Sequence, residues 1–317
     1  MRAARILEPG AAPELTELDE PPGEGDLQVD VTAFALNPID INVASGRFYG
    51  GTPPLPYVAG VEAVGRDASG RRVYVNGPGI GIARDGVWAE RAVVPESAAV
   101  EIHHDVPDEL ALAAGVAGLA GWIPVTWLAD VGPDDRVLVL GATGSVGRVA
   151  VQASKLRGAK RIIAAGRRRD ALEEARELGA DDVVELDGDL EQAFRDAFGG
   201  EGPTIVIDPL WGPPLVAALN AGAPGVRVVN VGQSAGSEAT ITSNAVRGKQ
   251  AEIFGYSNYR VPRSVFRASY EELIEHAAAG RVRLDAETYP IERLGEAWER
   301  QANGPGAKLV VRFEEPR

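Results

Sequence analysis

Three glycines are the residues whose spacing points most clearly to a chemistry. Gly141, Gly144 and Gly147 follow the apolar run 136–140 and precede residues at helical spacing. Such a turn presents unpaired backbone N–H groups and the positive end of a helix dipole, and glycines let a pyrophosphate approach them closely. The pattern predicts a dinucleotide-binding turn, although a glycine turn without a ligand is the alternative. The predicted contacts are Ala142, Thr143, Gly144, Ser145, Val146 and Gly147.

The end of the next apolar run indicates which dinucleotide is bound. The run 161–165 ends at Gly166, about 20 residues beyond the glycines, where an NAD site ordinarily has an Asp or Glu that accepts from the ribose 2′-OH. Arg167 and Arg168 follow instead, and a guanidinium grips the oxygens of a 2′-phosphate with two donors. The sequence therefore predicts NADPH in contact with Gly166, Arg167 and Arg168; the alternative is a solvated arginine run.

Alternating elements place further residues on the same edge. Apolar strands are predicted at 136–140, 161–165, 182–186, 204–208, 226–231 and 251–255, with helical stretches such as 170–178 and 190–198 between them. This order implies a doubly wound parallel sheet of six strands, which binds ligands beyond the carboxyl ends of its strands. The predicted cofactor contacts on this edge are Asn230, Val231, Gly232, Phe254 and Gly255.

The two ends of the chain have a different pattern of predicted secondary structure. Up to about residue 101 the pattern is one of short strands and turns, and a surface turn is predicted at 21–25. After residue 256, a helix at 270–279 and strands at 282–289 and 308–313 are expected to return to the first domain. We therefore predict three segments: 1–117, 118–256 and 257–317.

Composition narrows the class of protein. The chain has 317 residues, of which 45% are hydrophobic and 25% charged, as expected for a soluble protein of two domains. Its lack of cysteine excludes disulfides, thiolate metal sites and a cysteine nucleophile. The net charge of −14 argues against a nucleic-acid partner. The sequence suggests no membrane span or signal peptide, so we expect a cytoplasmic protein.

The order of these parts resembles the medium-chain dehydrogenase/reductase superfamily over nearly the whole chain. It is most similar to the zinc-free quinone oxidoreductase branch. The resemblance implies a GroES-like β-rich domain, a Rossmann domain with the doubly wound sheet, and a C-terminal return. The motifs that carry it are Asn37-Pro-Ile-Asp40, 56–65, Gly86-Val-Trp-Ala-Glu90, the turn 142–147, Leu178-Gly-Ala-Asp181 and Lys308-Leu-Val-Val311.

The resemblance also bears on metals. In the zinc alcohol dehydrogenase branch a metal-binding cysteine stands in the place of Asn37, and a metal-binding histidine precedes the glutamate that corresponds to Glu62. Here the preceding residue is Val61, and the cysteine-rich loop for structural zinc is missing. We therefore expect no metal, and no alcohol oxidation that depends on one. His103 and His104 are expected to be solvated loop residues, because neighbours on an extended segment point to opposite sides.

The activity that the resemblance implies is the NADPH-dependent reduction of quinones or α,β-unsaturated carbonyls, with a small-molecule substrate. Asn37, Asp40 and Tyr49 are the candidate catalytic residues. The alternatives are an Asn-Pro turn at Asn37 and a helix N-cap at Asp40. Because the strand 251–255 is the last of the sheet and an edge strand invites pairing, we also predict a two-fold homodimer.

Two other functions remain open. One is enoyl reduction in a biosynthetic pathway, because acceptor specificity depends on the shape of a pocket. The other is a non-enzymatic role as an NADPH-binding structural or interaction protein. In the family, the helix near the nicotinamide opens Gly-Leu-Thr-Ala, whereas this chain has Gly118-Leu-Ala120-Gly121. This chain therefore lacks the threonine hydroxyl that lies near the nicotinamide amide in the family.

Overall fold

The chain forms two compact units in the computed structural model, which describes residues 1–21 and 26–313. The first unit is Met1–Ala117 with Tyr270–Arg317, and the second is Gly118–Ser269. Segment 257–269 thus belongs to the second unit and not to the return predicted for it. Tyr270 is the first residue of the returning segment, and its ring stacks on Tyr74 at 4.4 Å while its hydroxyl donates to the Ala111 carbonyl. Four residues of the predicted turn, 22–25, lie outside the described residues.

Short strands build the first unit, as the turn-rich N-terminal sequence predicts. Phe34 and Trp88 stack at 4.8 Å in its core, and both are fully buried. The strands are β1 (Arg2–Ile6), β2 (Glu14–Glu17), β3 (Leu27–Leu36), β4 (Tyr57–Val58), β5 (Ala63–Asp67), β6 (Arg72–Val75), β7 (Arg91–Val94) and β8 (Ala99–Glu101), with helices α1 (Pro38–Ala44) and α2 (Asp108–Ala113).

A long apolar run leads from the first unit into the second. After α2 it continues as the π-helical segment Ala114–Gly118, then α3 (Leu119–Ile123) and a second π-helical segment, Pro124–Leu128. The run Asp108–Leu128 is long and apolar enough to cross a membrane by length and composition alone. However, 67% of its most apolar window is buried in the fold. This burial is typical of a core helix in a soluble protein.

The second unit is the predicted doubly wound sheet. Its parallel strands lie in the order β11-β10-β9-β12-β13-β14, so β9 and β12 are central and β14 is an edge. Fully buried residues such as Leu138, Ile163 and Val206 form its core. The elements are β9 (Arg136–Leu140), α4 (Ser145–Leu156), β10 (Arg161–Gly166), α5 (Arg169–Glu177), β11 (Asp182–Glu185), α6 (Leu190–Ala197), β12 (Ile205–Asp208), α7 (Gly212–Ala221), β13 (Arg227–Asn230), α8 (Ser243–Arg247) and β14 (Glu252–Gly255).

The C-terminal segment completes the sheet of the first unit. Helix α9 (Arg263–Ala278) is followed by β15 (Ala286–Pro290), α10 (Leu294–Ala302) and β16 (Lys308–Arg312). Strand β16 pairs antiparallel with β3, with Leu309 opposite Leu36. This register brings Lys308 to the end of β3, where α1 begins.

Candidate functional site

The turn after β9 brings a helix N-terminus to the carboxyl edge of the parallel sheet. Gly141 adopts a left-handed φ of 61°, and α4 begins at Ser145. Gly147 has to be glycine, because a Cβ there would lie 2.4 Å from the Gly141 carbonyl oxygen. The first N–H groups of a helix have no intrahelical partners, and a pyrophosphate can accept from them. The second unit therefore has the backbone geometry of a dinucleotide-binding turn.

Gly166 ends β10 beside this turn. A Cβ on Gly166 would lie 3.0 Å from Thr143 Cγ2 and 3.1 Å from Leu172 Cδ2. A carboxylate side chain at this position would therefore have to displace one of these two groups. The backbone N–H of Ala142 donates to the Ala165 carbonyl at 2.9 Å and ties the turn to β10. The structure thus brings together the glycine turn and the predicted end of the second strand.

Two exposed arginines follow Gly166. Arg167 and Arg168 connect β10 to α5, and in the described part of the chain neither forms an ion pair with a carboxylate. Arg148 on α4 is different, because its Nη1 lies 2.6 Å from Glu174 Oε2. Guanidinium groups without carboxylate partners are available to an anion such as a phosphate.

The ends of β12 and β13 form the next part of the edge. Asp208 is fully buried, and its Oδ1 accepts from the backbone N–H groups of Leu210 and Trp211, each at 2.9 Å. Asn230 Nδ2 donates to Asp208 Oδ2 at 3.1 Å and to the Gly232 carbonyl at 2.7 Å. Burial raises the pKa of Asp208. The Asn230 side chain thus shapes the loops at this edge.

The remaining predicted cofactor residues continue along β13 and β14. Val231 N–H donates to the Asp208 carbonyl at 2.7 Å. The register pairs Gly255 with Asn230, and Gly255 is exposed while Phe254 is half-buried. All predicted cofactor contacts therefore lie in the second unit, at the carboxyl ends of β9, β10, β13 and β14.

The Ala120-Gly121 pair lies in α3. A Cβ on Gly121 would lie 2.4 Å from the Val146 carbonyl oxygen and 2.8 Å from Val149 Cβ. Gly121 is therefore required by the close packing of α3 on α4. Ala120 is half-buried, and nothing in the structure explains its departure from threonine.

In the first unit, Asn37 and Asp40 lie at the start of α1. Asn37 is the N-cap and is 2% exposed, and its backbone N–H donates to Asp40 Oδ2 at 2.8 Å. Asp40 Oδ1 accepts from Val61 N–H at 3.2 Å. Asp40 is thus in the first turn and is not itself the N-cap, because its carboxylate reaches back to the residue that caps the helix.

Glu62 is the centre of a buried polar cluster that includes Asn37. Its Oε1 accepts from Asn37 Nδ2 at 2.9 Å and from Lys308 Nζ at 2.5 Å. Its Oε2 accepts from the Tyr74 hydroxyl at 2.7 Å and from Val116 N–H at 2.8 Å. We call these five residues the Glu62 cluster. Four donors satisfy one carboxylate, which is what a fully buried charge requires.

Gly115 allows this arrangement. It breaks the helical geometry between α2 and α3 with a ψ of −129°. A Cβ on Gly115 would lie 2.3 Å from Glu62 Oε2 and 2.7 Å from the Tyr74 hydroxyl. The π-helical segment that begins at Ala114 can therefore deliver Val116 N–H to Glu62 only because residue 115 has no side chain.

Burial controls the ionisation of Asp40. Burial raises its pKa to about 7, and the Asn37 N–H and the nearby Lys308 ammonium oppose the rise, whereas the Glu62 charge adds to it. Burial, followed by the charge of Asp40, raises the pKa of Tyr57 to about 12. Burial therefore brings the pKa of Asp40 close to neutral pH.

Tyr49 lies apart from the buried cluster. It is 78% exposed on the loop after α1, and its ring contacts Phe48 with ring centres 4.4 Å apart. His103 is also exposed, 3.6 Å from Glu101. Within residues 1–21 and 26–313, no three His, Cys, Asp or Glu side chains are grouped so that they could hold a metal ion.

Three polar residues of these sites were not among the sequence-predicted functional residues: Glu62, Asp208 and Lys308. Each had a signal, because each is a charged residue next to or within a run of buried apolar residues. Glu62 lies between Val61 and Ala63, and Lys308 is the first residue of the apolar strand β16. A charge in such a place has to be paired.

Comparisons with known proteins agree with this architecture. The zinc-binding dehydrogenase family matches residues 145–279. The human quinone oxidoreductase is 27% identical over 98% of this chain and 97% of its own length. A solved NAD-dependent alcohol dehydrogenase superposes with a TM-score of 0.87 at 25% identity, covering 99% of this chain and all of its own.

Larger proteins contain a similar segment. A mycocerosic acid synthase-like polyketide synthase of Mycobacterium tuberculosis is 30% identical over 67% of this chain. The chain spans only 10% of the length of that synthase. The whole-length match to the human protein and the two-unit fold are the more informative findings. The chain belongs to the medium-chain dehydrogenase/reductase superfamily of oxidoreductases, in its quinone oxidoreductase branch.

Proposed function

We propose that the protein is an NADPH-dependent, zinc-independent reductase of quinones or α,β-unsaturated carbonyls. The observation that carries the proposal is the end of β10, where Gly166 is enclosed by Thr143 and Leu172 and is followed by two exposed arginines. A carboxylate for a ribose 2′-OH would have to displace the Thr143 or Leu172 side chain, whereas a 2′-phosphate would meet guanidinium groups without carboxylate partners. This arrangement supports NADPH, although one structural neighbour is described as NAD-dependent.

The residues of the second unit would hold the cofactor. The N–H groups of the turn 144–147 would bind the pyrophosphate, Arg167 and Arg168 the 2′-phosphate, and the loops after β13 and β14 the nicotinamide half. The bound nicotinamide would supply the hydride. The role of the protein would be to bind and orient the acceptor and to stabilise the negative charge that reduction of the acceptor creates.

The residues at the start of α1 are the candidates for the proton side of the reaction. Asp40 carries a titratable proton near neutral pH, and Asn37 caps the helix turn that holds it. Val61, which is fully buried, offers no metal ligand beside Glu62. We therefore propose that acceptor reduction proceeds without a metal, and that primary alcohols are not oxidised.

Turnover with a panel of acceptors tests this function. NADPH oxidation is measured with benzoquinones, enones and simple alcohol or aldehyde pairs, with NADH run in parallel. We expect turnover with at least one quinone or enone and a preference for NADPH. A preference for NADH, or turnover confined to alcohols, would contradict the proposal.

Enoyl reduction is a second candidate, because the polyketide synthase match covers 67% of this chain. Enoyl thioesters added to the same panel distinguish it, since a pathway reductase would prefer them to quinones. Tight NADPH binding without turnover on any acceptor would favour the non-enzymatic alternative.

Assembly and location complete the proposal. Strand β14 is an edge strand of the parallel sheet, and the side chain of Ile253 on this strand is 38% exposed. We propose that two copies pair through this edge as a two-fold homodimer. We also propose a cytoplasmic location, with neither a nucleic acid nor a membrane as partner.

A further inference from the structure

The proposed reaction does not use one deeply buried ion pair of the first unit. The side chain of Lys308 is 3% exposed and that of Glu62 is fully buried, and their charged atoms are 2.5 Å apart. Removing two such charges from water costs several kcal/mol per ion, and this cost makes the pair weak evidence for stability. Its contacts therefore suggest another role.

Those contacts fix the side-chain amide of Asn37. Lys308 Nζ donates to Asn37 Oδ1, and Asn37 Nδ2 donates to Glu62 Oε1. An ammonium can only donate, and an ionised carboxylate can only accept. The amide therefore has one orientation, because a flipped amide would direct its NH₂ group at the ammonium and its oxygen at the carboxylate.

The consequence reaches the first turn of α1. Asn37 is its N-cap, and the backbone N–H of Asn37 donates to Asp40 at 2.8 Å. Lys308 also supplies positive charge near Asp40, and it opposes the effect of Glu62 on the pKa of Asp40. Tyr57 is the other titratable neighbour. Strand register delivers Lys308 to this place, because Leu309 is opposite Leu36.

We propose that Lys308 is a positioning residue for the reaction, acting through Asn37 to hold Asp40 and the start of α1. The inference rests on the proposed function, in which Asn37 and Asp40 belong to the site that receives the acceptor. In this proposal the C-terminal strand β16 has a role in the site, because it supplies the cation that orients Asn37 and Asp40 near the N-terminal end of the chain.

Two variants separate positioning from stability. Lys308→Met leaves Glu62 as an uncompensated buried charge, so this variant should unfold more easily. Glu62→Gln/Lys308→Met removes both charges, and its stability should recover most of that loss. Arg72→Met is the matched control, because Arg72 pairs with Asp108 in the same unit and its side chain is only 17% exposed.

The kinetic expectation differs from the stability expectation. Although its stability recovers, the double variant should have a kcat about tenfold or more below that of wild type, because a small misplacement of a reacting group lowers the rate. Its KM for NADPH should not change, since the cofactor residues lie in the second unit. Arg72→Met should lose stability without this loss of kcat. A double variant that regains both stability and wild-type kcat would show that Lys308 has only a structural role.

An activity-independent measurement keeps this inference distinct from the proposed function. The side-chain amide of Asn37 is observed by nitrogen-15 NMR and assigned by loss of its signal in Asn37→Asp. In wild type its hydrogens should exchange slowly, and in the double variant they should exchange faster or show two environments. Absence of turnover in wild type would reject the reductase, whereas an unchanged Asn37 signal in the double variant would reject positioning by Lys308.

Discussion

Arg167→Ala tests the cofactor assignment most directly. Arg167 follows the enclosed Gly166 and has no carboxylate partner among the described residues, so its guanidinium is available to a 2′-phosphate. A hydrogen bond to a charged group contributes about 1.5–3 kcal/mol, and each ~1.4 kcal/mol is a factor of ten in affinity. The substitution should weaken NADPH binding by about ten- to a hundredfold. Because Arg167 is exposed, we expect the lower end of this range at physiological salt.

Titration of both cofactors by fluorescence or calorimetry measures the effect. NADH has no 2′-phosphate, so its affinity should hardly change in Arg167→Ala. Arg169→Ala is the matched control, because Arg169 is also exposed in the same run but is the first residue of α5. Equal losses for NADPH and NADH, or a wild type that prefers NADH, would refute the reasoning.

Four other predictions follow from the structure. Ile253→Lys on the edge strand β14 should convert a dimer to a monomer in light scattering, whereas Leu156→Lys, at a similarly exposed position on α4, should not; a monomeric wild type would refute the dimer. Turnover should survive prolonged chelation, and stoichiometric zinc whose removal abolishes turnover would overturn the zinc-free assignment. Gly115→Ala should lower the free energy of unfolding by about 1–3 kcal/mol through overpacking against Glu62, whereas Gly295→Ala, where a Cβ meets nothing within 4 Å, should not destabilise. Burial raises the pKa of Asp40 from 3.8 to about 7, so the folded chain binds a proton that the unfolded chain releases, and ionised Asp40 destabilises the fold increasingly as the pH rises across that window. Asp40→Asn should therefore gain stability relative to wild type from about pH 4 to about pH 7 in urea unfolding, and a pH-independent difference would contradict this.

The second unit could be predicted closely because its signals are local. Each strand is a short apolar run that ends near a glycine or a polar residue, and β9 has the bounds that the sequence predicts, Arg136–Leu140. The glycine turn can be recognised in the sequence because a side chain at residue 147 would clash with the backbone of Gly141. Such constraints act over a few residues, and a single sequence displays them.

The boundary before the return was harder to predict. The predicted strand 251–255 ends just before Tyr256, and this pattern indicates a unit boundary at residue 256. The hydroxyl of Tyr256, however, contacts the Leu119 carbonyl and the Asn258 side chain, and both partners belong to the second unit. Helix α9, predicted at 270–279, begins at Arg263 and crosses into the first unit. The chain passes from one unit to the other inside this helix, so no turn or linker residues mark the boundary in the sequence.

The Glu62 cluster shows what the sequence cannot display. Lys308 and Asn37 are 271 residues apart, and they meet because one strand register, Leu309 opposite Leu36, is selected from several that the apolar pattern permits. A shift of one residue would turn Lys308 to the other face of its sheet and leave Glu62 without its cation. The buried charge therefore destabilises any other register, since an unpaired buried carboxylate raises the free energy of the fold more than a mispacked valine does. The same pair that fixes Asn37 thus also specifies how the C-terminal strand docks, and this second role accounts for a buried ion pair whose net contribution to stability is small.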